Sequence, residues 1–366
     1  MSKKIFYPLF LFYAIAIVYL AYSSPISPHE AKVFYTDTTI VNMLMHAGRT
    51  LLAAPVFGSF LGIRIFFILI GLLTIPLYCY MTGIYLKREN DRYMATAIYM
   101  LLPGIITATS LANISVLVLP VVLLFIIAYQ QKWIYGEAVL MLLLFVIHDA
   151  SVIFFVSVFI YALVRKEIPL MLLSGFFLVL SFVTLHGVEI GGRPSGHFAD
   201  LFGLYAALFS PLLFIYFFYT MYRIFLREEK NILWYISFIA LLSSLILSVR
   251  QRVNVTDFAP YVVISVVLML DTFYKSFRIR LPRYRGWYRT GFTIVILVLV
   301  ASALTIFFHK AFFHIMKDPK KHFAAKLYEP YWLAQRLKRE QVGCYDSQDS
   351  RVAIQLRFYG IESCRN

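Results

Sequence analysis

Charge is the scarcest property of this sequence. Only 14% of its 366 residues are Asp, Glu, Lys or Arg, against about 25% in an average soluble domain, which excludes an ordinary globular protein and a disordered one alike. The phosphate-binding GxxxxGK[ST] loop is missing, so ATP-driven transport by this chain alone lacks its basic device. A GxGxxG turn after a strand, an HExxH helix and a GxSxG elbow are missing too, which removes the common soluble dehydrogenase, metalloprotease and hydrolase readings. There is no internal repeat, low-complexity tract or disordered linker.

Apolar residues are abundant: 61% hydrophobic and 17% aromatic, with a mean hydropathy of +0.75. These values make the bilayer the expected solvent. Met1-Ser2-Lys3-Lys4 precedes nineteen uncharged residues, Ile5–Ser23. That run is long for a signal-peptide core of about 7–15 residues, although Ala21-Tyr22-Ser23 resembles a cleavage site, so a retained first helix is expected. Further apolar runs cover approximately 64–86, 93–108, 110–130, 134–147, 149–164, 168–186, 204–222, 231–249, 258–274 and 290–309. The fold class expected is an all-α polytopic membrane bundle of about eleven helices. The transmembrane domain spans 1–312, with a long first outer loop at 24–63, and a short outer segment follows at 313–366.

The +15 net charge reads as topology rather than as nucleic-acid binding. With a cytoplasmic N-terminus, the inner side gathers Lys3, Lys4, Lys87, Arg88, Arg92, Lys132, Arg165, Lys166, Arg223, Arg227, Lys230 and six more between Lys275 and Arg289. The outer loops hold only Lys32, Arg49, Arg64, Arg193, Arg250 and Arg252, so the positive-inside rule gives N-in and C-out. All eight histidines then fall on the outer face or its margin. Met43–Phe60 is expected to form amphipathic helices at the interface. A tail of 54 residues can scarcely bury its own core, so it should dock or be stapled; Cys344 and Cys364 are placed to form a disulfide in an oxidising compartment.

Polar groups near the outer surface are the candidates for chemistry, because ionisable groups at membrane depth are costly to retain. They include His29, Glu30, Asp37, His148, Asp149, Arg193, Arg250, Arg252 and Asp257. Carboxylates beside arginines suit a reaction needing a general base and a clamp for an anionic leaving group. The plainer alternatives are loop salt bridges, such as Glu30 with Lys32 or Arg49, and headgroup pairing by Arg250 and Arg252. A divalent metal could draw on His29, Glu30, His148 or Asp149, but their spacing specifies no site.

The order of several degenerate motifs resembles the GT-C glycosyltransferases, in particular the aminoarabinose-transferase and protein O-mannosyltransferase group. Ser27-Pro28-His29-Glu30-Ala31-Lys32 is similar to the acidic motif opening that group's first outer loop. Phe57-Gly58-Ser59 through Arg64 looks like its "G-x-S-x-x-x-x-R" approach to the next span, followed by Leu86-Lys87-Arg88 and Leu101-Leu102-Pro103-Gly104. Arg250-Gln251-Arg252 through Pro260-Tyr261 resembles a later "R-Y-x-x-P-x-x-P" stretch, and Leu333-Ala334 through Phe358-Tyr359 resembles a helix and an "FY"-ending strand of the outer domain. His29 stands where the group has its catalytic Asp, Asn113 stands where an Asp is usual, and the tail is short.

The resemblance implies sugar transfer from a polyprenyl-phosphate carrier to a lipid, glycan or protein acceptor at the outer face of the inner membrane. Glu30, then Asp37 and His29, are the implied bases. Arg250 and Arg252, assisted by Arg64 or Arg193, are the implied phosphate clamp. The competing readings are a non-catalytic GT-C-like scaffold of envelope assembly, which His29 favours, and a lipid-linked sugar flippase, which would need charges at the midplane of broken helices.

Overall fold

The computed structural model describes residues 1–36, 39–52, 58–184, 196–315 and 322–364. Its elements are all helices: α1 Lys3–Ser23, α2 Pro28–Thr36, α3 Ile40–Leu51, α4 Gly58–Tyr85, α5 Glu89–Leu101, α6 Pro103–Ser110, α7 Ser115–Gln130, α8 Ile134–Ile147, α9 Ser151–Arg165 and α10 Ile168–Thr184. They continue with α11 Phe198–Phe209, α12 Pro211–Arg227, α13 Ile232–Ser248, α14 Val255–Val263, α15 Val266–Ile279, α16 Pro282–Phe307, α17 His309–Ile315, α18 Ala325–Arg339 and α19 Ser350–Phe358. Among the described residues the one β-type feature is an isolated bridge, Cys344 to Glu362.

Every apolar run read from the sequence is helical. Four helical stretches are long and apolar enough to cross a bilayer, Lys3–Ser23, Phe60–Tyr85, Val255–Ile279 (α14 continued by α15) and Pro282–Phe307; two bent pairs raise the number to six. Helices α7 to α10 and α13 are apolar but shorter, at 14–17 residues. At 1.5 Å per residue they reach about 21–26 Å, short of a hydrocarbon core of about 30 Å. Only 11% of the most apolar window of α16 is buried within the protein, so lipid must cover the rest. The chain is an all-α polytopic membrane protein.

The helices form two compact units. The first comprises Met1–Leu11, Ile70–Ile106 and Ile114–Ala303. Here α10 packs along α9, α8 along α7, and α13 along both α9 and α14. Tight helix–helix turns place Lys132 and Lys166 in the left-handed region, at φ 58° and 59°. Both bends in this unit's long helices fall at prolines. Leu102 is extended (ψ 126°), as a residue before proline prefers, and α5 and α6 meet at 61°. Ser210 at φ 87° turns the chain by 105° into Pro211, the first residue of α12. Gly104 lets the α6 backbone approach α11, since a Cβ there would lie 2.7 Å from Leu208 Cγ.

The second unit comprises Phe12–Leu69, Thr107–Asn113 and Leu304–Asn366. Its α2 starts at a capping box. The Glu30 N–H donates to Ser27 Oγ at 3.1 Å, the Ser27 N–H donates back to Glu30 Oε2 at 2.9 Å, and Pro28 sits at the first helical position. At its other end, Asn42 Nδ2 of α3 donates to the Val33 and Phe34 carbonyls, both at 2.9 Å. The tail docks and is stapled. Ala334 and Leu337 of α18 bury against Leu356 and Ile361, and a disulfide joins Cys344 to Cys364 with Cα atoms 5.0 Å apart. Gln355 Nε2 donates to the Ile26 carbonyl at 2.9 Å, and Tyr359 Oη accepts from the Ile26 N–H at 3.3 Å.

One expectation is corrected. The segment ending Phe358-Tyr359 is helix α19, not a strand. Asp349 caps it by accepting from Arg351 N at 2.9 Å, and the four-residue spacing of Val352 and Leu356 puts both on the tail's core.

Candidate functional site

Two polar assemblies, one in each unit, contain several of the sequence-derived candidates. In the second unit, Glu30 of α2 and Arg64 of α4 form a side-on ion pair. Nε donates to Oε1 and Nη2 to Oε2, both at 2.7 Å, with neither side chain more than 1% exposed. Arg64 also donates from Nη1 to the Ala21 and Ser24 carbonyls (2.8 and 2.7 Å) and from Nη2 to the Pro25 carbonyl (2.9 Å). All five guanidinium N–H groups are therefore engaged, which leaves Arg64 no donor for a phosphate in this arrangement.

Glu30 is equally saturated. Besides the two Arg64 bonds it accepts from Ala112 N at 2.8 Å and from Ser27 N at 2.9 Å, filling the four acceptor positions of a carboxylate. Burial pushes its carboxyl up, but the Arg64 charge and hydrogen bonds, with the Ala112 and Ser27 amides, outweigh burial and hold it below the ordinary value of 4.5. A carboxylate held in this way is a poor proton acceptor. Its ion partner is Arg64 rather than Lys32 or Arg49; the Arg49 guanidinium instead lies over the Phe34 and Phe358 rings, 5.3 and 5.6 Å from their centroids. His29 is exposed on α2. Asp37 and Arg193 lie outside the described residues.

In the first unit, Arg250 and Arg252 share the turn between α13 and α14. Both are exposed, and among the described residues neither guanidinium makes an ion pair or a hydrogen bond. This turn is anchored on three sides. Ser115 Oγ at the start of α7 donates to the Thr256 carbonyl (2.8 Å), Ser237 Oγ of α13 donates to the Tyr261 carbonyl (3.0 Å), and Tyr261 is fully buried with its ring 5.9 Å from Phe154.

His148, which caps the end of α8, reaches the same turn. Its Nδ1 lies 3.3 Å from Tyr261 Oη and its Nε2 lies 3.7 Å from Asp257 Oδ1. The histidine is buried and the aspartate is one-third exposed. Asp257 and Tyr261 are one turn apart on α14, but His148 is 113 residues from Tyr261, too far in sequence to carry a local signal. By contrast, the capping box Ser27-x-x-Glu30 was readable from spacing alone and marks Glu30 as a helix-start residue. No group of three or more His, Cys, Asp or Glu side chains among the described residues is placed to hold a metal ion.

No family model and no curated protein matches the sequence. Solved structures do match the fold. The crystal structure of ArnT from Cupriavidus metallidurans in the apo state aligns over 98% of this chain and 85% of its own, with a TM-score of 0.56 at 11% identity. The structure of ArnT from the same organism bound to undecaprenyl phosphate aligns over 97% and 85%, with a TM-score of 0.58 at 12% identity. The fold is ArnT-like. At this identity the likeness covers architecture alone, and the residues must supply any argument about chemistry.

Proposed function

We propose that this chain is a polyprenyl-phosphate-sugar-dependent glycosyltransferase of the inner membrane. The observation that carries the reading is the ArnT-like fold along nearly the whole chain, shared with a protein whose structure binds undecaprenyl phosphate. In support, the turn before α14 presents two arginines that are unpaired among the described residues, as a leaving phosphate requires. N-in and C-out topology follows from the basic inner loops, which puts the first loop at 24–63 and the segment 313–366 on the outer side of the transmembrane domain. The acceptor is a lipid, glycan or protein on that side.

The acceptor hydroxyl attacks the anomeric carbon, the bond from that carbon to the phosphate oxygen breaks, and the phosphate leaves with the electron pair. Arg250 and Arg252 neutralise the charge that develops. Of the first-loop groups, Glu30 spends its acceptor positions on Arg64 and two amides, which leaves His29 and Asp37 as that loop's candidates for the base. Arg193 assists at the phosphate.

A second reading has a specific observation behind it. With His29 at the position of the resembling group's Asp and Glu30 saturated, a non-catalytic scaffold on the same fold is the competitor. Purified full-length protein supplied with radiolabelled polyprenyl-phosphate sugars and a membrane-lipid extract separates the two. Transfer that falls at least tenfold in Arg250→Ala supports the enzyme, whereas no transfer and no carrier binding by wild type supports the scaffold.

A further inference from the structure

We propose that Asp257, backed by His148, binds the hydroxyls of the donor sugar and selects a neutral sugar with free vicinal hydroxyls. This inference rests on the donor reading above and deepens it. Glu30 and Asp257 differ sharply. Glu30 accepts four hydrogen bonds of 2.7–2.9 Å and has nothing left to offer. Among the described residues the Asp257 carboxylate makes no hydrogen bond or ion pair shorter than 3.5 Å: Thr256 Oγ1 lies at that distance from Oδ1 and His148 Nε2 at 3.7 Å, while Oδ2 has no partner. These separations are too long for strong hydrogen bonds, so an incoming hydroxyl would complete the carboxylate's shell rather than compete for it.

Position supplies the second part. Asp257 stands five positions beyond Arg252, at most about 18 Å of extended chain, and Val255 already begins α14. In a sugar–phosphate donor the ring is bonded to the phosphate, so a carboxylate on the phosphate-clamping turn faces the sugar. Two carboxylate oxygens accept from two adjacent ring hydroxyls, whereas a uronic acid at the same place would meet like charge. The turn is pre-organised by Ser115, Ser237 and the buried Tyr261, and His148 Nε2 lies 3.7 Å from Oδ1.

The test compares binding of undecaprenyl phosphate with binding of undecaprenyl-phosphate sugars to the purified full-length protein. The sugars are neutral hexoses and pentoses, deoxy analogues lacking one of a vicinal pair, and a uronic acid. Wild type should bind the bare carrier and bind at least one neutral-sugar donor about tenfold more tightly, with the deoxy and uronic donors losing that gain. Asp257→Asn should bind the bare carrier as wild type does and lose the gain, with His148→Gln losing part of it; an unchanged thermal midpoint certifies the fold. A gain retained in Asp257→Asn overturns the proposal, as does a variant that lowers kcat while leaving donor affinity intact, which would make Asp257 a base. Carrier that fails to bind wild type overturns the donor reading itself.

Discussion

Arg64 and Glu30 face each other through two parallel N–H···O bonds of 2.7 Å, with both groups shut away from solvent. The pair sits at the junction of four chain segments, since Arg64 also holds the carbonyls of Ala21, Ser24 and Pro25 and Glu30 holds the amide of Ala112. Removing one partner leaves a buried charge alone, which costs about 3–5 kcal/mol. Arg64→Ala should therefore lower the thermal midpoint sharply, and Arg64→Ala combined with Glu30→Ala should lower it by less than the sum of the two single changes. Additive midpoints in that cycle would mean that the two groups are not coupled.

Ser27 offers a milder probe of the same junction. Its hydroxyl accepts the Glu30 N–H in the capping box, and replacing such a cap with alanine costs about 1 kcal/mol. Ser27→Ala should destabilise less than Arg64→Ala and leave the Arg64–Glu30 pair in place. Equal midpoints for Ser27→Ala and wild type would show that the cap contributes nothing here.

Arg250 and Arg252 should behave in the opposite way. They are exposed and make no ion pair among the described residues, so alanine at either position should shift stability by no more than about 0.5 kcal/mol. Under the proposed function each should weaken undecaprenyl phosphate binding about tenfold, the effect of losing one charge-assisted contact. Unchanged carrier affinity in the double variant would remove this turn from the phosphate site.

What was legible in the sequence follows from how far its signals act. Within the described residues every apolar run is helical, because a long apolar stretch admits few other structures in lipid. Span number was less legible, since Pro103 and Pro211 each bend a run that reads as continuous. At α19 the family resemblance implies a strand, whereas Asp349 and the spacing of Val352 and Leu356 favour the helix that forms. In the site, Glu30 was found but its role was not. The capping box is local and could have been read, but the Arg64 partner and the Ala112 amide come from distant segments. His148 and Asp257 were both visible as polar residues at the ends of apolar runs. Their meeting across 3.7 Å is a property of packing, which no spacing rule reports.

The disulfide gives a prediction about the tail alone. Cys344 and Cys364 are 20 residues apart, and closing a loop of about that size stabilises by about 3 kcal/mol in the chain-entropy account. The oxidised protein should resist thiol alkylation at both positions. Replacing both cysteines with serine should expose 340–364 to proteolysis while the apolar helices stay protected. Alkylation of both cysteines without reductant would sink the bond.

Acidification should loosen α18 before it disturbs α2. His322 is buried with its ring 3.8 Å from Phe313; Nδ1 accepts from Ala324 N at 3.0 Å, so the proton sits on Nε2, which donates to the His309 carbonyl at 3.1 Å. His309 in turn faces the Ile306 carbonyl at 2.9 Å and Tyr328 Oη of α18 at 2.7 Å. Burial pulls both imidazoles below the ordinary 6.5, outweighing the carbonyl bonds that favour their charged forms. A histidine with a depressed folded value binds fewer protons folded than unfolded. The stability it contributes is therefore complete above about pH 6.5 and is lost as the pH falls through the folded value. The Glu30 carboxyl, also depressed, keeps its contribution until the pH drops below about 4.5, so the interval from 6.5 to 5 isolates the histidines. Relative to the intrinsic exchange rate at each pH, protection across 325–339 should fall in that interval while protection in α2 holds steady. Protection of α18 that does not change between pH 8 and pH 5 would show that neither histidine latches it.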